Sequence, residues 1–216
     1  MPELILEEFM TRIESGLLKG DTMAKLYVIM GKSSSGKDTI YSKLKESKDL
    51  NLHTVVMYTT RPMREGEADG REYFFTDESK LKLLQENNKI IELRTYNTVH
   101  GEWSYFTVDD GQIDLNSDNK YLIIATLEAY KKYLSYYGKD IVIPIYIEVK
   151  DGIRIHRALC REDKQEKPKY AEMCRRFLAD EQDFSDEKID ELGIDKRYDN
   201  TDLELCLKNI MSDIVK

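Results

Sequence analysis

Leu26-Tyr27-Val28-Ile29-Met30-Gly31-Lys32-Ser33-Ser34-Ser35-Gly36-Lys37-Asp38-Thr39 is the stretch whose reading decides the fold. Five strand-forming residues end at a glycine, and a second glycine, a lysine and a helical pattern from Ile40 to Leu44 follow. That is the strand, loop and helix context a phosphate cradle needs. Gly31 and Gly36 let the backbone curl so that successive N–H groups of Ser33, Ser34 and Ser35 point inward. The new helix aims its positive end at the same place, and Lys37 adds a full charge. Residues 31–39 are therefore read as a P-loop for nucleoside triphosphate; the alternative is a Gly/Ser-rich turn that caps a helix. One position departs from G-x-x-x-x-G-K-[ST]. Where a hydroxyl usually meets Mg²⁺ stands Asp38, a stronger ligand for a hard cation, which adds negative charge beside polyphosphate unless metal lies between them. Asp38 is the candidate metal ligand.

The chain has 216 residues, 41% hydrophobic and 34% charged, enough for one substantial core or a core with a small subdomain. A single α/β domain is expected. Net charge is −8 and the isoelectric point near 5.1, which disfavours wholesale attraction to nucleic acid or an anionic membrane. The ligand is expected to be small, met by locally gathered positive charge. Cys160, Cys174 and Cys206 are odd in number, lack metal-ligand spacing and suit buried or idle thiols in a reducing cytoplasm, with structural thiols the first expectation. No apolar run approaches bilayer length and no signal-peptide pattern opens the chain, so a cytoplasmic protein is expected. Leu4, Ile5, Phe9, Ile13 and Leu17 recur at helical spacing. Residues 1–24 are read either as an amphipathic helix that packs on the domain or a partner subunit, or as a translated leader before Met23-Ala24-Lys25. An oligomer is compatible with the first.

His53 to Tyr58 alternates as a strand and runs into Thr59-Thr60-Arg61-Pro62-Met63-Arg64-Glu65-Gly66-Glu67-Ala68-Asp69-Gly70-Arg71-Glu72-Tyr73-Phe74-Phe75. Two arginines around a proline, then a glycine-bearing loop and a tyrosine, make a compact donor set for a second anionic group; the alternative is a solvated charged loop. The string T-T-R-P-x-R-x-G-E-x-x-G-x-x-Y-x-F resembles the monophosphate-binding region of guanylate kinases. Glu78 to Asn87 reads as a helix and Ile90 to Arg94 as a strand carrying Glu92. Gly101-Glu102-Trp103-Ser104-Tyr105-Phe106-Thr107 is similar to that family's G-x-x-Y-G-T/S turn, with longer spacing and the second glycine replaced. It also reads as a plain β-hairpin with an aromatic face.

Tyr121 to Glu128 holds a buried parallel strand, which guanylate kinases close with D-I-D. Here those positions are Ala125 and Leu127, so the P-loop has gained a carboxylate while this strand has lost its pair. The expectation is that Asp38 takes over the metal-organising charge, with Glu128 a weaker candidate. Ile141 to Val149 is a further core strand, with Pro144 expected at an edge or bulge. Ile153 to Glu162 forms a helix with Arg157 and Arg161 on one face, and a second helix from Tyr170 carries Arg175 and Arg176. The pair resembles a nucleoside-monophosphate-kinase lid; an exposed basic helical hairpin is the alternative. Lys196 to Leu203 is similar to the family's N-D-D-L segment, with Asn200 at the adenine pocket or as an Asx cap of the last helix.

These matches resemble a divergent guanylate kinase from about Lys25 onward. The resemblance implies an α/β fold with a P-loop NTPase-type parallel core sheet and helices on both faces, plus a monophosphate-binding insertion and a lid. The expected parts are a core of 25–55, 118–150 and 185–216, a monophosphate region of 56–117 and a lid of about 154–184. It implies phosphoryl transfer from Mg²⁺·ATP to a nucleoside monophosphate, GMP favoured. Lys37 would hold the β/γ-phosphates, and Arg61, Arg64 and Tyr73 the acceptor phosphate. Glu92 would read the base edge, with Tyr105 and Thr107 beside it, and Arg157, Arg161 and Arg176 would close on the transferring group. Met57 stands where the family has a base-reading serine. Two alternatives stay open: a kinase for another acceptor, since G-K-D-T also resembles the G-K-D-S of ribose 1,5-bisphosphate kinases, and a non-catalytic guanylate-kinase-like binding module.

Overall fold

A computed structural model describes residues 23–98 and 101–216; the amphipathic helix expected over 3–19 lies outside them. In chain order the elements are β1 (Lys25–Met30), α1 (Lys37–Glu46), β2 (Leu52–Thr54), β3 (Tyr58–Thr59), β4 (Phe74–Phe75), α2 (Glu78–Glu86), β5 (Ile90–Thr98) and β6 (Gly101–Val108). There follow β7 (Lys120–Ile124), α3 (Leu127–Tyr137), β8 (Val142–Glu148), α4 (Asp151–Glu162), α5 (Tyr170–Asp183), α6 (Asp186–Glu191), β9 (Arg197–Asp199) and α7 (Leu203–Val215). They fall into two compact units, one of Lys25–Val56 with Asn119–Lys216 and one containing Met57–Asp118.

In the larger unit the strands pair in the order β2-β7-β1-β8-β9, every pair parallel. A parallel sheet covered on both faces needs near-continuous apolar strands, and from Leu26 to Met30 β1 is wholly buried. Tyr27, Ile29, Leu122, Ile145 and Ile147 meet Ile40 and Leu44 of α1 and Leu207, Ile210 and Ile214 of α7. Leu26, Val28 and Ile123 alternate with them and are equally buried. The predicted parallel α/β core is present. Pro144 is not on an edge strand, because β8 lies between β1 and β9. It is tolerated because β9 pairs only with Tyr146 to Glu148, leaving that flank of β8 unladdered at Pro144. Asp202, not Asn200, caps α7, its carboxylate accepting from the Leu205 amide at 3.0 Å.

In the smaller unit the order is β4-β3-β6-β5, with β3 and β4 parallel and β6 antiparallel to both its neighbours. Leu81 of α2 packs with Phe106 and Val108 of β6. The single strand predicted over 53–58 is two strands in different sheets, since the Val55 amide bonds Leu122 while the Met57 carbonyl accepts from Phe74. The 90–94 strand runs on to Thr98 and makes a long hairpin with β6. All three cysteines are free, but only Cys206 is buried; burial raises its thiol to about 11. Cys174 is exposed, which corrects the expectation of structural thiols for that residue.

Ile210 is fully buried between α7 and the sheet, whereas Leu205 on the same helix is 58% exposed. Ile210→Ala is expected to lower the unfolding free energy by about 2–5 kcal/mol and Leu205→Ala by less than about 0.5 kcal/mol. Urea unfolding of the two variants checks this; equal losses would contradict the assignment of the α7 face.

Candidate functional site

The larger unit carries the loop of residues 31–39, the candidate phosphate loop. Gly31 has φ 153° and Gly36 φ 88°, and both turns exclude a side chain. A Cβ on Gly31 would lie 2.5 Å from the Ile147 carbonyl oxygen, and one on Gly36 would overlap the Asn200 amide nitrogen. Between them Ser34 sits at φ 62°, a left-handed conformation costing a non-glycine residue roughly 1–2 kcal/mol. Strain of this kind persists where the surroundings over-determine the backbone, which here they do. Asn200, 3% exposed, donates from Nδ2 to the Ser35 carbonyl at 2.7 Å. Arg157 donates to the Asn200 carbonyl at 2.9 Å and reaches the Ser35 carbonyl at 3.5 Å.

The first half of the loop is held from α4 and α5. Asp180 accepts from the Ser33 amide at 2.7 Å and from the Ser33 hydroxyl at 3.2 Å. Arg154, 1% exposed, donates to the Ser33 carbonyl at 3.1 Å, to Asp180 at 2.9 Å and to Asp151 at 2.6 Å, and its guanidinium lies over the Phe177 ring. Lys32 pairs with Glu181 at 2.8 Å, and that hydrogen bond depresses the Glu181 carboxyl. The Ser33 amide is thus taken up by Asp180 and the Ser35 amide by the Lys32 carbonyl at 3.1 Å, so of the three N–H groups expected to point inward these two are engaged within the protein. α1 has no side-chain cap, so its first-turn amides lack an acceptor from that source. Among the described residues, the buried hydroxyls of Ser34 and Ser35 and the side-chain Oδ1 of Asn200, unlike its backbone carbonyl, have no hydrogen-bond partner. An uncapped helix N-terminus beside two orphaned hydroxyls and Lys37 is a donor set for a polyphosphate.

Of the predicted lid residues, Arg161 and Arg176 line one small cavity together with Ser33, Ser34 and Phe177. Arg176 also pairs with Glu172 at 3.0 Å, as does Arg175 at 2.7 Å. Both arginines therefore share one carboxylate. A separate cleft of about 560 Å³ beside the loop is lined by Lys32, Ser35, Val149, Lys150 and Asp199, among others. Asp38 and Thr39 begin α1 exposed; Asp38 lies 3.5 Å from Lys37, its side chain 80% exposed. No group of three or more His, Cys, Asp or Glu suited to a metal occurs among the described residues.

The smaller unit carries the second donor set. Arg61 is 3% exposed and forked onto Glu67 at 2.7 and 2.6 Å, with its guanidinium over the rings of Tyr73 and Phe75. Arg64 is exposed; its amide, not its guanidinium, donates to Glu67 at 2.8 Å. Tyr105 meets Tyr73 edge-on at 5.6 Å. A register shift between Ile90 and Glu92 places Glu92 opposite Thr107 and Arg94 opposite Tyr105. Glu92 is 3% exposed and accepts from Thr107 Oγ1 at 3.2 Å, from Arg94 Nε at 3.0 Å and from Arg94 Nη2 at 3.2 Å. Tyr105 and Thr107 lie on a strand rather than in the turn that the motif suggests.

Sequence reasoning missed Arg154, Asp180, Glu181, Glu67 and Arg94. Arg154 was legible as one turn before Arg157 on α4. Asp180 and Glu181 carried no signal, because a carboxylate pair late in a charged helix reads as a solvated face.

The Arg61 hydrogen bonds hold the Glu67 carboxyl near 2, below its ordinary 4.5. A depressed carboxyl stabilises the fold fully above the ordinary value and loses that contribution as pH falls through the folded one. Glu67→Gln lacks it. The stability difference between wild type and variant, from urea unfolding, is therefore expected to be constant above about pH 5 and to shrink towards pH 2. A difference independent of pH would contradict the pairing.

With this geometry in view, the comparisons with known proteins become specific. Residues 23–110 match the family model described as guanylate kinase. The chain is 30% identical over 129 residues to a guanylate kinase of Porphyromonas gingivalis, covering 58% of this chain and 65% of that protein. It is 40% identical over 78 residues to one of Syntrophomonas wolfei, covering 35% and 39%. The matches thus span less than two thirds of these relatives' own length. The crystal structure of guanylate kinase from Anaplasma phagocytophilum has the same fold, with a TM-score of 0.60 at 20% identity over 90% of this chain and 86% of that one. The 31–39 loop and the T-T-R-P-x-R segment both lie within the matched residues, and over that stretch the chain is similar to guanylate kinases.

Proposed function

We propose that the protein transfers the γ-phosphoryl group of ATP to a nucleoside monophosphate, GMP favoured. One observation carries the reading: a strained phosphate loop, fixed from outside by Asn200, Arg157 and Asp180, ends in an uncapped helix with buried hydroxyls left unpaired. Names of the matched relatives support the acceptor. In this reading Gly31, Ser33, Ser34, Ser35, Gly36 and Thr39 line the ATP phosphates. Lys37 neutralises charge there, and Asn200 supports the loop wall. Arg61, Arg64, Tyr73 and Tyr105 bind the acceptor phosphate, and Glu92 with Thr107 faces the acceptor's base. Arg157, Arg161 and Arg176 neutralise the transferring group, whose charge spreads over its equatorial oxygens, so that positioning and electrostatics do most of the work. Asp38 would hold Mg²⁺, which when bound neutralises charge on the phosphates. Excluding water keeps ATP from being hydrolysed in place of transfer.

A second reading, a kinase for a sugar phosphate such as ribose 1,5-bisphosphate, rests on G-K-D-T at 36–39. The binding-module alternative is disfavoured by the intact glycines and Lys37.

ADP release from Mg²⁺·ATP across GMP, dGMP, IMP, AMP, UMP, CMP and ribose 1,5-bisphosphate tests the proposal. GMP is expected to be turned over, and Lys37→Met to lose at least about 100-fold in kcat. No acceleration by any monophosphate would overturn the reading, and an unaffected Lys37→Met would remove the loop from the chemistry. Asp38→Ser is expected to raise the Mg²⁺ concentration needed for half-maximal rate by about tenfold, roughly 1.4 kcal/mol. An unchanged Mg²⁺ titration would reject Asp38 as a ligand.

A further inference from the structure

Glu92 has a neighbour that competes for its work. Arg94, two residues along β5 and so on the same face, lays a fork on the carboxylate, Nε to Oε2 at 3.0 Å and Nη2 to Oε1 at 3.2 Å. Thr107 adds a third donor to Oε1 at 3.2 Å, and the Met57 thioether lies 3.7 Å from Arg94 Nη2. The side chains of Glu92 and Arg94 are 1% and 10% exposed, so the pair is shielded from water.

A carboxylate recognises the N1–H and 2-amino edge of guanine by accepting two roughly parallel N–H donors. The arginine fork presents the same two donors at similar spacing. An internal mimic of the base edge therefore already sits on Glu92. Removing it would require breaking a charge-assisted pair in a poorly solvated place, and a neutral base returns two neutral hydrogen bonds for it.

We propose that Arg94 is a specificity-determining residue, which by holding both oxygens of Glu92 strips the acceptor site of selectivity for the 2-amino group of guanine. This rests on the monophosphate-kinase reading above. With the Glu92 oxygens held in this way, GMP and IMP are nearly equivalent acceptors. Arg94 acts through Glu92 and is a positioning residue.

The test is the ratio of kcat/KM for GMP to that for IMP, measured as ADP release by wild type, Arg94→Ala and Arg94→Gln, each checked for native circular dichroism. IMP lacks only the 2-amino group. Wild type is expected to show a ratio within about threefold of one. The variants are expected to raise it to tenfold or more, since a freed acceptor pair rejects the analogue that cannot fill it. A loss of general stability would lower both rates and leave the ratio alone. A wild-type ratio above tenfold overturns the inference even if neither variant folds, and so does a ratio that neither substitution moves. If GMP and IMP both fail to accelerate ADP release by wild type, the kinase reading fails and takes this inference with it; turnover with the wrong ratio sinks the inference alone.

Discussion

A loop that binds phosphate must turn its amides inward, and the carbonyls and hydroxyls left on its outer side then need partners from elsewhere in the chain. That constraint organises the larger unit. The Asn200 amide on the Ser35 carbonyl and the Arg154 guanidinium on the Ser33 carbonyl are the bonds that meet it, while Asp180 takes up the Ser33 amide. Asn200 follows β9, and its own amide bonds the Glu148 carbonyl at the end of β8, so the sheet edge sets where its side chain points. Gly36 is left-handed and without a side chain because Asn200 packs where one would be. The backbone of the 31–39 loop is thus specified by residues more than 120 positions away in sequence.

The arginines divide into two kinds. Arg154, Arg61 and Arg94 are held at very low exposure by forked or multiple carboxylate contacts, and their first effect is to shape. Such buried pairs are costly to break and supply geometry rather than net stability. Arg161 and Arg176 are exposed and line a cavity with the loop serines, where a charge that moves onto a ligand is of use. Arg157 lies between the two kinds, half-buried with its fork on backbone carbonyls. The same distinction holds in the smaller unit for Arg61, tied to Glu67, and Arg64, whose side chain is exposed.

The parallel sheet was legible because strands buried on both faces must be written as apolar runs, as in 26–30, 121–124 and 141–147. The loop was legible because its glycines answer to backbone angles that few residues adopt. Short strands were not: Tyr58 and Thr59 gain their pairing from partners far off in sequence, which a local pattern at 53–58 cannot reveal. The long extension of β5 past Arg94 carried only a weak alternation through Tyr96 and Thr98. The ion pair of Arg154 with Asp180, set by packing between two helices, was invisible for a related reason. Spacing places residues on an element but says nothing of what the opposite element brings.

The claim under everything else is that the 31–39 backbone, as Asn200 fixes it, is a triphosphate site. Calorimetric titration of Mg²⁺·ATP into wild type and into Gly36→Ala measures this directly, with circular dichroism to establish that the variant is folded. Wild type is predicted to bind at one site, and the folded variant to lose that binding by at least about 100-fold, roughly 2.7 kcal/mol. Equal affinity in the two proteins would contradict the account.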